Sequence, residues 1–343
     1  MKAFDGHNDV LSRLHHAGAG NEGFLQGGDG HIDLPAAREG GLAGGLFAVF
    51  PCSPFRGADN QFAVDYARPP DRREALAETL AMVDRLGAIE RESDGAVRVV
   101  RDASTLDACL DDDETALAAV LHFEGAEAID PDLERLAGFH DSGLRSLGLT
   151  WSRPNDYAHG VPFGFPGSPD RGHGLTDAGR ALVKACNELR IVVDLAHLNE
   201  RGFWDVAELS DAPLVASHSN AHALCPSPRN LTDDQLRAVG ESGGVVGINY
   251  CVAFVREDGA DDPDTPLSAI AAHAAHVAEV AGPDAVALGS DFDGATMPQE
   301  LDKAAKLPAL FEALAPFGFD EPELERIALA NWRRVLRATW GTQ

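Results

Sequence analysis

Short apolar runs alternate with longer amphipathic, charged stretches along most of this 343-residue chain. Eight such runs lie at 3–7, 44–50, 117–123, 144–150, 191–195, 214–216, 244–249 and 285–289, and they are rich in Val, Ile, Leu and Phe. Short, continuously apolar runs are expected of strands buried on both faces of a parallel sheet. The stretches between them predict helices over 71–92, 130–142, 176–189, 232–241 and 266–281. Thr176 and Thr232 stand where N-caps belong, each with acidic residues in the following turn. Residues 321–340 predict a closing helix. A further apolar run at 97–100 fits either a strand outside the main sheet or no strand at all.

Strands alternating with helices predict an α/β protein, and eight of them predict a sheet closed into a (β/α)8 TIM barrel. Such a barrel fills a chain of this length as one domain, 1–343. The competing architecture is a doubly wound open sheet. No G-x-G-x-x-G follows the first run, which removes its dinucleotide-binding form.

In a (β/α)8 enzyme the chemistry sits where strands end and the following loops begin. The polar residues at those positions are His7 and Asp9 after strand 1, Glu124 at the end of strand 3, His197 after strand 5, His218 after strand 6 and Asp291 after strand 8. Singly, each reads as an ordinary loop residue or half of an ion pair. Together at one mouth, they need a cation to neutralise them. Three histidines with carboxylates and no thiolate suit zinc or a similar divalent ion. His7 and Asp9 form a chelate for one metal, and His197 with His218 suits a second. Two metals need a bridging anion. The four lysines, Lys2, Lys184, Lys303 and Lys306, stand at no strand end, so Glu124 is the expected bridge. Such a pair generates a bridging hydroxide near neutral pH. Asp291 can accept its proton and pass it to a leaving group. The chemistry expected is hydrolysis of an amide, ester, lactam or amidine.

Charge narrows the partners. Lys and Arg number 28 against 55 Asp and Glu, for a formal charge of −27. That excludes non-specific nucleic-acid binding and argues against anionic membrane surfaces. No apolar stretch is long enough for a transmembrane helix, and the start has no apolar segment of a secretory signal, so a cytoplasmic location is the expectation. Cys52, Cys109, Cys186, Cys225 and Cys251 include no C-x-x-C pair, which predicts neither a disulfide framework nor a cysteine zinc cage.

Several segments carry a resemblance beyond these single residues. They are D-G-H-N-D at 5–9, L-H-F-E-G at 121–125, D-L-A-H at 194–197, S-H-S-N-A at 217–221, S-P-R-N at 227–230, G-S-D-F-D-G at 289–294 and N-W-R-R-V at 331–335. In these the chain resembles the membrane (renal-type) dipeptidases, a branch of the metal-dependent amidohydrolase superfamily. The resemblance spans nearly the whole chain in order. It implies two Zn²⁺, one held by His7, Asp9 and Glu124 and the other by Glu124, His197 and His218. It implies that Asp291 shuttles the proton, that Arg229 binds the substrate's terminal carboxylate, and that the protein is a homodimer. An Arg fork suits that planar anion. Asp293 is read as loop scaffolding or a substrate contact.

One position departs from the pattern. The family's well-studied members carry Thr-His-Ser after strand 4, where the His helps polarise the scissile carbonyl. Here the residues are Thr150, Trp151 and Ser152. The Trp151 indole can only donate a hydrogen bond. The role passes to Asn155, to His159 or His173 in the following loop, or entirely to the metal. The expected activity is hydrolysis of dipeptides, including those with a D-configured C-terminal residue. The rivals are hydrolysis of another carboxylate-bearing amide, such as an N-acyl amino acid or a β-lactam, and a non-catalytic barrel that keeps the metal site.

Overall fold

Eight parallel strands close into a barrel in the computed structural model, which describes residues 1–52, 55–56, 62–63, 68–111 and 116–341. The strands are β1 (Ala3–Asn8), β2 (Leu42–Val49), β3 (Leu117–Glu124), β4 (Leu144–Gly148), β5 (Val192–Asp194), β6 (Val215–Ser219), β7 (Val245–Ile248) and β8 (Val286–Leu288). Each pairs with the next in chain order, and Asp5 of β1 opposite Leu288 of β8 closes the ring. All eight expected strands are present. The run at 97–100 is a short strand, Val97–Val99, that pairs with the start of β3 outside the ring.

The period of two along β3 shows how the barrel presents chemistry. Ala118 and Val120 join the barrel interior with Phe4, Val192, Val215, Val245 and Ala287. Leu117, Ala119, Leu121 and Phe123 join the layer under the surrounding helices. His122 and Glu124 continue the inward phase, so Glu124 emerges at the top of the interior. Space there is tight. A Cβ on Gly6, Gly247 or Gly289 would lie 2.3, 1.9 or 2.1 Å from the Ser217 carbonyl oxygen, so only glycine permits the strands to converge.

Helices start where short side chains cap them. Thr176 accepts from Gly179 N–H at 3.0 Å, and Thr232 forms a capping box with Gln235. The Asn199 side chain accepts from Gly202 N–H at 3.0 Å and so caps Glu200–Leu209, a helix the apolar pattern did not reveal. Val10–His16, Leu34–Gly40, Ala103–Asp111 and Leu307–Leu314 were equally hidden by their shortness. The helix expected over 130–142 shrinks to Leu136–Asp141, because Leu133 takes φ 59° and the Asp130 side chain ties Glu134 N–H into a turn. The tail is helical from Glu321 to Trp340, with a π-helical turn at Arg326–Ala330. It plugs the lower end of the barrel. Trp332 is fully buried against Phe4, and its indole N–H donates to Leu288 O at 2.8 Å.

No helix among the described residues is long and apolar enough to cross a membrane. All five cysteines are free and buried.

His273 illustrates a buried imidazole used as scaffold. Its Nδ1 accepts from Ala221 N–H at 3.0 Å and its Nε2 lies 3.1 Å from Val255 O. Burial pushes its pKa down from 6.5 to about 4. The unfolded chain then binds more protons between those values, so this group's contribution is complete above pH 6.5 and lost as pH falls toward 4. The loss amounts to about 3 kcal/mol at about 1.4 kcal/mol per pKa unit. We expect His273→Gln to have a flatter Tm profile than the wild type across that window, measured by thermal unfolding. Parallel profiles would remove His273 as the cause.

Candidate metal centre

The six strand-end residues expected at the mouth converge there. Glu124 Oε1 lies 2.9 Å from His197 Nε2, 3.6 Å from His218 Nε2 and 3.7 Å from His7 Nε2. His7 Nε2 lies 3.3 Å from Asp9 Oδ2, and the Nε2 atoms of His197 and His218 are 2.9 Å apart. Possible ligand atoms of His7, Asp9 and Asp291 also lie within 4.8 Å of one another, as do those of His7, Glu124 and His218. All six residues are buried.

Two aspartates that the sequence reading did not single out hold the loops in place. Asp5 accepts from Ser290 N–H at 2.7 Å and from Ser290 Oγ at 2.8 Å. Asp291 N–H donates to His7 O at 3.0 Å, and Asp9 N–H to Phe292 O at 2.8 Å. The loops after β1 and β8 are thereby one unit. Asp194 plays the same part between β5 and β6, accepting from Ser217 N–H at 2.7 Å and Ser217 Oγ at 2.5 Å. That second bond fixes a tautomer. The Ser217 hydroxyl proton is committed to Asp194, so its oxygen accepts from His218 Nδ1–H at 2.7 Å. The Nε2 lone pair of His218 is then left facing Glu124.

Backbone conformation adds to this placement. His197, Asp291 and Asp293 have φ of 65°, 64° and 68°, a left-handed conformation that non-glycine residues rarely adopt. Such positions persist only when their surroundings hold them. Gly294 completes the cradle, since a Cβ there would lie 2.2 Å from Asp9 Oδ2 and 2.7 Å from Asp291 Oδ1.

The electrostatics of the protein groups alone are unbalanced. Burial drives the His7 imidazole down, but the carboxylates of Glu124, Asp9 and Asp291 outweigh it and push it up to about 10. Burial raises Glu124 well above the usual carboxylate range, opposed by His7 and reinforced by Asp9 and Asp291. Burial, with the positive charges of Arg229 and His7, holds His197 and His218 well below the usual imidazole range. A proton on His7 stands where a cation would serve better. The donor set fits a divalent metal. Neither ring nitrogen of His7 meets a hydrogen-bond partner in good geometry, the His218 lone pair faces a carboxylate, and oxygen and imidazole donors suit zinc-like ions. His7, Asp9, Glu124, His197 and His218 could hold it, with Asp291 beside them.

A cavity of about 690 Å³ opens over the centre, within the range of small-molecule sites. Asp9, Glu124, His197 and Asp291 form part of its floor, and Phe50, Trp151, Phe163 and Phe254 its apolar wall. Phe163 stacks on Phe254 with ring centroids 5.8 Å apart, and Trp151 packs on Phe50 at 5.0 Å. Asp293 accepts from His31 N–H at 2.7 Å and pairs with Arg13 at 2.9 Å, and it also lines the cavity. Arg229 is buried behind the wall rather than lining it. Its Nη2 donates to His218 O at 3.0 Å, its guanidinium lies 5.5 Å over the Phe254 ring, and its Nε has no hydrogen-bond partner.

The loop after β4 divides its candidates. Trp151 lines the cavity. Asn155 does not. Its side chain donates to Leu149 O at 2.8 Å and accepts from Tyr157 and Ala158 N–H, and it borders a small separate cavity. His159 and His173 pack on each other, 5.6 Å between rings, away from the mouth cavity. The sequence reading passed over two polar side chains that touch the centre. Asn249, just past β7, donates to Asp291 Oδ2 at 2.9 Å, and Ser152 Oγ lies 2.7 Å from His197 Nδ1. Asn249 obeys the same strand-end rule as the others and could have been found by it.

Comparison with known proteins agrees with this architecture. A family described as membrane dipeptidase (Peptidase family M19) matches residues 1–342. A metallopeptidase from Rhodobacter sphaeroides, solved with a phosphinate mimic of the dipeptide L-Ala-D-Ala, is 47% identical with a TM-score of 0.92, over 99% of both chains. A second solved metallopeptidase, dipeptidase AC, is 46% identical with a TM-score of 0.93, covering 100% of this chain and 99% of its own. An uncharacterized protein from the pqqA 5′ region of Klebsiella pneumoniae is 46% identical over 272 residues, 79% of this chain and 98% of that one.

The Ser152 contact yields a test of the centre. Groups that orient a ligand imidazole contribute about 10- to 100-fold to metal affinity. Ser152→Ala is expected to weaken zinc binding by that order in competition with a chromophoric chelator. Unchanged affinity would show that His197 is not a ligand held by Ser152.

Proposed function

The chain belongs to the membrane dipeptidase family, a family of metallopeptidases, and from that premise we propose that it is a binuclear zinc dipeptidase whose substrates include dipeptides with a D-configured C-terminal residue. The observation that carries the reading is the single Glu124 oxygen within 3.7 Å of three imidazoles, with Asp9 and Asp291 beside them. His7 and Asp9 would hold one ion, His197 and His218 the other, and Glu124 both. When bound, the ions supply Lewis acidity and an activated water near neutral pH.

The remaining work falls to the chain's own residues. Asp291 takes the proton of the attacking water and delivers it to the departing amine as the amide C–N bond breaks, releasing two amino acids. Asn249 holds Oδ2 of Asp291 and so keeps the carboxylate in position. The family resemblance gives the substrate's terminal carboxylate to Arg229, which lies behind the Phe254 wall, so that contact requires the Phe254 ring to move aside. Support for that role is its buried guanidinium with an unpartnered Nε beside the centre. Trp151 and the phenylalanines around it form the surface against which the substrate's side chains pack and from which water is displaced. The L,D preference rests on the relative that binds a phosphinate mimic of L-Ala-D-Ala.

Removing metal with a chelator is expected to abolish hydrolysis across a panel of L,L- and L,D-dipeptides, and zinc to restore it. Asp291→Asn should lower kcat by about 10²- to 10⁴-fold while metal content stays unchanged. Wild-type kcat in that variant would dismiss Asp291 as the proton shuttle. A panel cleaved only in its L,L members would remove the D-residue assignment.

A further inference from the structure

A second group of metal-type donors stands at the edge of the same cavity, two of its three members lining it. His16 ends the helix Val10–His16 that follows Asp9, Cys52 lies just past β2, and Glu78 belongs to the helix Arg72–Glu92. Cys52 Sγ lies 2.9 Å from His16 Nε2, and Cys52 N–H donates to Glu78 Oε2 at 2.9 Å. One ligand atom from each lies within 4.8 Å of the other two. Bond lengths of about 2.0 to 2.3 Å keep a cation's ligand atoms within about 4.6 Å, so small side-chain adjustments suffice. His16 and Cys52 line the cavity together with Asp9 and Glu124.

We propose that His16, Cys52 and Glu78 form a separate cation seat at the cavity mouth for a borderline-soft divalent ion such as zinc or cadmium, and that filling it obstructs the cavity. A sulfur, an imidazole and a carboxylate select such ions over magnesium or calcium. Three protein donors leave the fourth position to water, which projects the occupied seat into the space a substrate needs. On binding, the Cys52 S–H bond breaks, its proton leaves to solvent, and a sulfur–metal bond forms. The thiolate and the Glu78 carboxylate then balance the two positive charges. Burial and the Glu78 carboxylate hold the Cys52 thiol well above its usual range, so the metal must displace a tightly held proton. With three donors against the five of the centre, the seat is the weaker of the two and fills only when metal is in excess. The nearby Arg153 guanidinium does not close it to cations, because Arg153 is paired with Glu127 at 3.2 Å and donates to Pro51 O at 2.8 Å.

Only the obstruction half rests on reading the cavity as the active site. The test separates the two. Cadmium is titrated into zinc-saturated enzyme while the thiolate-to-metal charge-transfer absorption is followed. The centre contains no thiolate, so exchange there is silent and the band reports the seat alone. In the wild type the band is expected to develop only with cadmium in excess over the centre, and to level off at the amplitude of a single thiolate–cadmium bond per chain. Cys52→Ser should lose it, and His16→Gln, at an exposed helix end, should need about 10-fold more cadmium. No band, or an unchanged band in both variants, overturns the seat. Excess zinc should inhibit dipeptide hydrolysis, with inhibition shifted to about 10-fold higher zinc in His16→Gln. A band without inhibition overturns the obstruction. A band in a protein that cleaves no dipeptide overturns the dipeptidase reading and leaves the seat standing.

Discussion

The rest of the structure is arranged around a buried carboxylate that cannot be stable alone. Glu124 sits at the inner top of the barrel, with one oxygen facing three imidazoles. Desolvating a charge costs several kcal/mol unless partners compensate it. Here Asp9 and Asp291 add like charge rather than relieve it, and only His7 among the imidazoles is driven toward its charged form. A mouth with this composition favours a bound cation over any internal pairing the protein can make. It also constrains everything beneath it, because a ligand set is useful only if its members are held in place before the ion arrives.

That holding is done by backbone and by buried acids, not by the metal-type residues themselves. Asp5 ties β1 to the loop that carries Asp291, and Asp194 ties β5 to β6 and fixes the His218 tautomer through Ser217. His197 and Asp291 are kept in left-handed conformations, and Gly294 leaves room for the Asp9 and Asp291 carboxylates to approach. The glycines around the Ser217 carbonyl allow the strands to converge at this height. Local strain and close approach at the top are offset by an ordinary apolar interior below, sealed by Trp332.

Much of this was legible in the chain, for identifiable reasons. Buried parallel strands are continuous apolar runs, so all eight were visible, and polar residues at their ends marked the mouth. What escaped has equally physical causes. Short helices such as Val10–His16 span too few turns to show a period. Asp5 and Asp194 lie inside apolar runs, where an acid reads as an interruption, although a buried acid in a strand is itself a sign of a specific partner. Asn155 was drawn to the mouth by its place after Trp151, whereas its amide is spent on the loop's own backbone. Sequence order cannot tell a loop's scaffold from its working face.

The net charge of −27 sets the final constraint on recognition. A substrate with a free carboxylate is repelled by the overall field, but charges beyond a Debye length of about 8 Å are largely screened at physiological salt. Binding must therefore be decided within the cavity. There the balance differs. Arg229 is buried beside the centre, Arg13 stands at the lining paired with Asp293, and the opposite wall is aromatic. The floor itself is rich in carboxylates, so an anionic group is favoured there only when a cation fills it, while the apolar wall adds contact area without adding charge. Recognition of a carboxylate-bearing substrate, as proposed above, therefore depends on a cation held at the floor and on Arg229 behind the wall, not on the acidic exterior.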